Sequence, residues 1–258
     1  MEGLPELIMR EGERRDVRDV LKQNKHALIT MSQSIVPQTE DHPSSAASHS
    51  TELLQAIQRL LCMNGSPLAV SVLLAIQAEE LPSMPQIHQT FTNLGLQHIA
   101  NISIVHAQSC HQELVVISHA LVDLLSAQRL SYLLITPLLQ LARAMAPSPD
   151  CLTAIHADVL QACLASRHYS TAVDFIDRNI ISEISPQECY LPSIDYLRFF
   201  FYAGCALLPL RRYEEALGYF TTAITAPANA LSHVVIHAIK KARLTSLLVT
   251  GADLVLPQ

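Results

Sequence analysis

His106, Cys110 and His111 are the residues whose types and spacing come closest to a metal site. His106 and Cys110 stand four positions apart, so a helix would place both side chains on one face. Imidazole and thiolate are ligands that zinc prefers, but a zinc site needs two further ligands that converge from elsewhere in the chain. No other His or Cys stands at a spacing that supplies them. We therefore predict core or capped histidines here and no metal ligand.

The sequence has none of the short motifs that carry catalytic chemistry. It contains no H-E-x-x-H or H-x-H zinc pattern, no G-x-S-x-G nucleophile turn and no glycine-rich phosphate loop. The carboxylates Asp158 and Asp174 fall on predicted amphipathic helices, where we expect them to be solvated rather than catalytic. The prediction is a chain without catalytic or cofactor-binding residues, without a cofactor, and thus not an enzyme.

Aromatic residues crowd one part of the chain and form the remaining candidate for a binding site. Their spacing is that of helix positions, so we interpret them as core between packed helices. The alternative is that some of them line a concave groove. The residues are Tyr190, Tyr196, Phe199, Phe200, Phe201, Tyr202, Tyr213 and Tyr219.

The amino-acid composition limits the classes of molecule that we expect this chain to bind. Of 258 residues, 50% are apolar and 16% are charged, which indicates extensive burial. The net charge of -6 argues against a nucleic-acid surface, which needs clustered Lys and Arg. The short basic groups Arg211-Arg212 and Lys240–Arg243 are interpreted as solvated helix faces. No apolar stretch reaches the length of a membrane span, and we predict neither a membrane nor a small-molecule partner.

The N-terminus and the cysteines bear on localisation. Residues Met1–Glu6 are acidic and lack the apolar segment of a secretory signal. The six cysteines are scattered without a C-x-x-C pair, so we expect buried, reduced thiols. Both features favour the cytoplasm and nucleus.

Helical periodicity interrupted by proline and glycine predicts an all-α fold. The best-defined unit is a helical hairpin over Phe199–Pro227. Gly204 and Ala216 would let its two helix backbones approach closely, and Phe200 and Phe220 would fill the space above and below. Such a combination of aromatic and small residues is typical of tetratricopeptide-type hairpins, which need neighbours on both sides.

A similar sequence pattern occurs earlier in the chain, which indicates a repeated hairpin. Tyr169-x-x-Ala172 recurs as Tyr213-x-x-Ala216, 44 residues later and again after a basic pair. That spacing is close to the roughly 40–47 residues of loose helical repeats. The residues between Ser182 and Pro192 are the insertion that lengthens the repeat.

Other elements follow from breaks in the pattern. We predict turns at Ala127–Arg129, Ser166–His168 and Pro209–Arg212, a kink at Pro137, and a helix end at Gly95. The predicted hairpins are Cys110–Met145 and Leu152–Ile180, and the other predicted helices are Pro67–Glu80, Pro85–Leu94, Gln97–Gln108 and Leu231–Thr250.

The prediction is a variable N-terminal segment with a flexible Pro/Ser/His linker over residues 1–51, followed by one helical-repeat domain over 52–258. The domain is expected to be a right-handed superhelical array of antiparallel hairpins, an α-solenoid similar to tetratricopeptide repeats.

A family resemblance becomes specific near the last predicted helix. Tyr202-x-Gly204, Ala226-Pro227, Ser232-His233 and Lys240-Lys241 stand in the order found in subunit three of the COP9 signalosome. The block Leu152–Leu164 is also similar to that family. The chain therefore resembles this subunit from Tyr202 to Leu248, and more weakly back to Leu53.

The resemblance implies a scaffold rather than an enzyme. Members place a helical-repeat arm before a winged-helix domain of the PCI type, which proteasome-lid and translation-initiation subunits share, and this chain is expected to end before that domain. Their complex removes a ubiquitin-like modifier from the cullins of ubiquitin ligases, and the protease lies in another subunit. The implied partners are other signalosome subunits, with subunits one and eight as neighbours.

Three alternatives remain open. The chain could be a related PCI scaffold such as a proteasome-lid subunit. It could be a free-standing tetratricopeptide receptor, but this needs a basic or Asn-rich carboxylate clamp where the candidates here are aromatic and apolar. A metalloenzyme would need tightly bound zinc.

Overall fold

The computed structural model is all-α in the residues that it describes, which are helices joined by turns and short 3₁₀ segments, with no strand. The chain divides into two compact units, Met1–Leu124 and Leu125–Gln258. The described residues are 53–55, 57–61, 67–83, 85–148, 150–179, 181, 184, 191–227 and 232–252. The predicted N-terminal segment and linker over residues 1–51 and most of the insertion after Ser182 lie outside these ranges.

The first unit contains a buried apolar helix, as its sequence predicts. The helix α1 has no polar face, and its residues from Ala69 to Leu74 are all buried. At its centre Ser71 Oγ lies 2.8 Å from the Nε2 atom of the buried His98. Residues 53–55 and 57–61 are helical, and the helices with described bounds are α1 (Pro67–Glu80), α2 (His88–Asn101), α3 (Ile104–Ser109) and α4 (His111–Ala127), with 3₁₀ segments at Leu81–Ser83 and Pro85–Ile87.

Gly95 does not end a helix, so that prediction is wrong. It lies in the middle of α2, where a Cβ atom would stand 3.1 Å from the Leu121 side chain. The glycine therefore serves close packing and not a left-handed turn. The next predicted helix is also divided, because α2 ends at Asn101 and Ser103 caps α3.

The second unit repeats one packing arrangement. Neighbouring helices pack on each other, and α6 packs on α8 and α8 on α10, so each hairpin contacts the next. This is the helical-repeat architecture expected from the sequence. Its helices are α5 (Ile135–Met145), α6 (Ala154–Ala165), α7 (Tyr169–Arg178), α8 (Ser193–Leu207), α9 (Tyr213–Thr225) and α10 (His233–Thr250).

Pro137 falls in the first turn of its helix and not in the helix interior, where a proline would kink it. A 3₁₀ segment, Ser131–Leu134, leads into α5, and Pro137 is the third residue of that helix. The N–H groups of a first helical turn have no intrahelical acceptor, so a proline there costs no hydrogen bond.

Three turns share the same backbone conformation, in which an arginine is left-handed. Arg129, Arg167 and Arg211 each adopt a left-handed backbone conformation, with φ of 60°, 60° and 61°. After each of them, the next N–H donates to a carbonyl five residues back; these bonds are 2.8, 2.8 and 3.3 Å long. This is the Schellman motif, which glycine usually occupies because it has no Cβ atom. The turns lie where the sequence predicts them.

The hairpin of α8 and α9 closes on a contact between Gly204 and Phe220. A Cβ atom at Gly204 would lie 2.5 Å from the Phe220 ring, closer than atoms can approach. Phe220 is fully buried, and Phe200 packs at the edge of the same core. The helix α8 begins at Ser193, six residues before the predicted start, while α9 begins at Tyr213 as predicted.

Gly204→Ala should therefore destabilise the second unit, because the new methyl group and the Phe220 ring would need the same space. We expect a loss of about 1–3 kcal/mol in the free energy of unfolding, measured by urea denaturation and far-UV circular dichroism. Gly218→Ala is the matched control: it lies in α9 with nothing within 4 Å of its added methyl group. It should stabilise by about 0.5–1 kcal/mol. Equal effects of the two substitutions would contradict the close-packing role of Gly204.

Replacing the left-handed arginines by glycine should stabilise the chain. Arg129→Gly, Arg167→Gly and Arg211→Gly each remove a Cβ clash from a conformation that costs L-residues roughly 1–2 kcal/mol, offset in part by the larger entropy of unfolded glycine. We expect gains of about 0.5–1 kcal/mol each in the free energy of unfolding, measured by thermal denaturation. A loss of thermal stability would show that the arginine side chains contribute more than their backbone strain costs.

Candidate interaction surfaces

The residues that resembled a metal site have other roles. His106 Nδ1 lies 2.6 Å from Ser103 Oγ at the start of α3, and Cys110 is fully buried between α3 and α4. His111 is the first residue of α4. In the part of the chain that the structure describes, no three His, Cys, Asp or Glu side chains are grouped so that they could hold a metal ion.

The two carboxylates considered in the sequence differ in exposure. Asp174 is exposed on α7, as expected. Asp158 is only 2% exposed, so the prediction of a solvated side chain is wrong. The error has a physical source: α6 is buried on nearly all sides by its neighbours, so a polar residue on it has no solvent face.

The expectation of reduced thiols holds for only some of the cysteines. Cys110, Cys163 and Cys205 are free thiols, and burial raises the pKa of Cys163 and of Cys205 to about 11. Cys151 is disulfide-bonded, so the expectation of reduced thiols is wrong at that position.

The aromatic residues are mainly core, as interpreted. Phe199 is buried, and its ring centroid lies 5.2 Å from that of Phe200 in an edge-to-face arrangement. Phe200 in turn contacts Tyr196 at 4.7 Å and Tyr219 at 6.0 Å. Tyr190 lies outside the described residues.

Some of these rings also line a groove, which was the alternative. Phe199, Phe200 and Tyr219 form part of a surface cavity of about 320 Å³ between α7, α8 and α9. The two interpretations are thus compatible, because the half-buried rings of Phe200 and Tyr219 can pack with one face and present an edge to solvent.

An ion-pair network stands at the edge of this cavity. The Arg212 guanidinium donates to both carboxylate oxygens of Asp177, at 2.8 and 3.0 Å, and to Glu215, with the Nε bond at 2.6 Å. These hydrogen bonds raise the pKa of Arg212 and lower that of Glu215. The groups are partly exposed, and such pairs contribute roughly 0–1 kcal/mol. Their effect is to fix the start of α9 against the end of α7.

The helix α10 presents an apolar surface that the sequence reading missed. Its inner face consists of Val235, Ala238, Ala242, Thr245 and Ser246, all buried. Its outer face carries Ile236, Leu244, Leu247 and Leu248, which are 39%, 62%, 48% and 66% exposed. Lys240, Lys241 and Arg243 are exposed as predicted and lie among these apolar side chains. Such a face is suited to pack on another helix.

The spacing of Leu244, Leu247 and Leu248 was a signal that could have revealed this face. Their i, i+3, i+4 pattern lies on the side of the helix opposite Ala238, so α10 is apolar on two faces. Sequence periodicity alone does not tell which face is covered.

Comparison with known proteins decides the family. A family model described as "COP9 signalosome complex subunit 3, N-terminal helical repeats" matches residues 18–258. The chain belongs to this family. The resemblance noted in the sequence is thereby confirmed, and the match includes all the hairpins described above.

Two curated relatives carry the same name. The COP9 signalosome complex subunit 3 of Dictyostelium discoideum is 37% identical over 101 residues, which are 39% of this chain and 24% of the relative. That of Arabidopsis thaliana is 30% identical over 115 residues, which are 45% of this chain and 25% of the relative. The matched segments thus span about a quarter of the length of each relative. Within the described ranges, no helix is long and apolar enough to cross a membrane.

The buried His156 links the start of α6 to the preceding residues. Its N–H donates to the Thr153 carbonyl, and its Nδ1 atom accepts the Thr153 N–H at 3.2 Å and lies 2.8 Å from Thr153 Oγ1. Burial lowers the pKa of His156 from 6.5 to about 4, although the Thr153 bond opposes this. Because Nδ1 accepts, the neutral ring carries its proton on Nε2.

His156 should make the stability of the second unit depend on pH. Its folded-state pKa lies below its unfolded value, so its stabilising effect is complete above about pH 6.5 and is lost as pH falls toward 4. We expect its contribution at pH 5 to be about 2 kcal/mol lower than at pH 7. His156→Asn keeps an acceptor for the Thr153 N–H but does not titrate, so urea denaturation of this variant should show a smaller loss at pH 5. If the stability of His156→Asn depends on pH as strongly as that of the unmodified chain, groups other than His156 cause the loss at low pH.

Proposed function

We propose that this chain is a non-catalytic scaffold arm of the COP9 signalosome, the complex that removes a ubiquitin-like modifier from cullins. The family match over residues 18–258 carries the proposal. The partners are other signalosome subunits, with subunits one and eight as the neighbours implied by the resemblance. The proposed location is the cytoplasm and nucleus.

The architecture supports a role in holding other proteins. A helical-repeat unit is stabilised by contacts between successive hairpins, so its ends and edges remain available for partners. The groove lined by Phe199, Phe200 and Tyr219 and the outer face of α10 are two such surfaces. The names of the relatives favour the signalosome over a proteasome lid.

Affinity capture with in-cell crosslinking tests the proposal. The tagged chain should recover other signalosome subunits and cullins above a tag-only control. Recovery of proteasome lid and base subunits in their place would contradict it, as would no enrichment of any signalosome subunit. Gly204→Leu serves as a folding control, since overpacking at Phe220 should disrupt the arm and reduce recovery.

A further inference from the structure

A crevice lined by two arginines in the second unit has no role in the architecture described so far. It has a volume of about 380 Å³ and lies where the C-terminal ends of α5 and α7 meet the start of α6. Arg143 from α5 and Arg178 from α7 both line it. We propose that this crevice binds a glutamate or aspartate side chain from an acidic segment of a partner protein. The proposal rests on the protein-binding role above and specifies the chemistry of one partner.

The two arginines are available for such a ligand. Both side chains are exposed, and among the described residues neither has a hydrogen bond or an ion pair. A guanidinium group presents its N–H donors in a planar fork that matches a carboxylate. The two guanidinium groups come from consecutive hairpins. They therefore meet at one crevice only when the hairpins pack on each other. A carboxylate-binding site of this kind has no recognisable spacing in the sequence.

One hydroxyl group in the lining of the crevice also has no hydrogen-bond partner. Ser148 Oγ is inaccessible to solvent and bonds to no group of the protein. A buried hydroxyl without a partner is destabilising, so a ligand oxygen that accepts a hydrogen bond from it would be favoured. His156, whose Nδ1 atom is held by the Thr153 N–H, also lines the crevice.

The apolar part of the lining favours a side chain over a free anion. Ala142, Ala146 and Pro147 form one side, and the Phe175 ring forms another, with its centroid 5.3 Å from that of His156. These groups can contact the methylene groups of a glutamate, whereas an inorganic anion would gain nothing from them. The chain carries a net charge of -6, so attraction for an acidic segment must come from local charges such as these.

A labelled octaglutamate peptide provides the test, with fluorescence anisotropy of the 258-residue chain at about 150 mM salt as readout. We expect saturable binding of octaglutamate and none of octaglutamine. Arg143→Glu combined with Arg178→Glu should weaken binding at least about tenfold, since two charge-assisted contacts become repulsive. The control is Arg129→Glu with Arg167→Glu, which changes the net charge equally at two exposed turns outside the crevice and should leave the affinity within about twofold. Circular dichroism checks that both double variants fold.

Three results would overturn the proposal. One is the absence of saturable binding to the unmodified chain. Another is an equal loss in the two double variants, which would show unspecific attraction to surface charge. The third is full displacement of the peptide by inorganic phosphate at equal concentration, which would indicate a site for a free anion. Capture of signalosome subunits is scored separately: peptide binding without that capture would contradict the proposed function and leave the crevice assignment in place.

Discussion

The close approach of α8 and α9 at Gly204 is the constraint on which the second unit depends. The Phe220 ring occupies the space where any other residue would place its Cβ atom, so these helices approach this closely without a steric clash only with glycine at this position. The same core includes further small residues, Ala216 and Ala223 on α9 and Ala238 and Ala242 on α10, which belong to one buried cluster. Glycine and alanine thus set the helix spacing, and the aromatic side chains fill the volume that remains.

That packing explains both the core and the surfaces. Because the helices approach closely on their small residues, the larger side chains are displaced to the edges of each interface, where Phe200 and Tyr219 line a groove. Hairpins held in register also bring together residues that are distant in sequence. Asp177 meets Arg212, and Arg143 shares a crevice with Arg178. The geometry of such surfaces comes from the rigid helices that carry their residues.

Much of the local structure could be predicted from the sequence, because local signals determine it. The turns at Arg167 and Arg211 follow from the break in periodicity, and the starts of α7 and α9 follow from the repeated Tyr-x-x-Ala pattern. Gly95 was misread because glycine serves both helix ends and close packing, and only the position of Leu121 distinguishes them. The burial of Asp158 and the exposure of the outer face of α10 depend on which helices are neighbours, and the crevice depends on two hairpins at once. Such tertiary features have no signature in a single helix.

Hydrogen–deuterium exchange of this chain, alone and mixed with purified signalosome subunits, tests the central claim most directly. The claim is that a preformed helical arm, built on the contact between Gly204 and Phe220, is held by the signalosome. The account predicts slow exchange of the amides of α8 and α9 in both states, because their hydrogen bonds lie in the core, and new protection elsewhere on the chain after mixing. Protection of α8 and α9 that arises only on mixing would contradict a preformed arm. Identical exchange in both states would contradict its assembly with the complex.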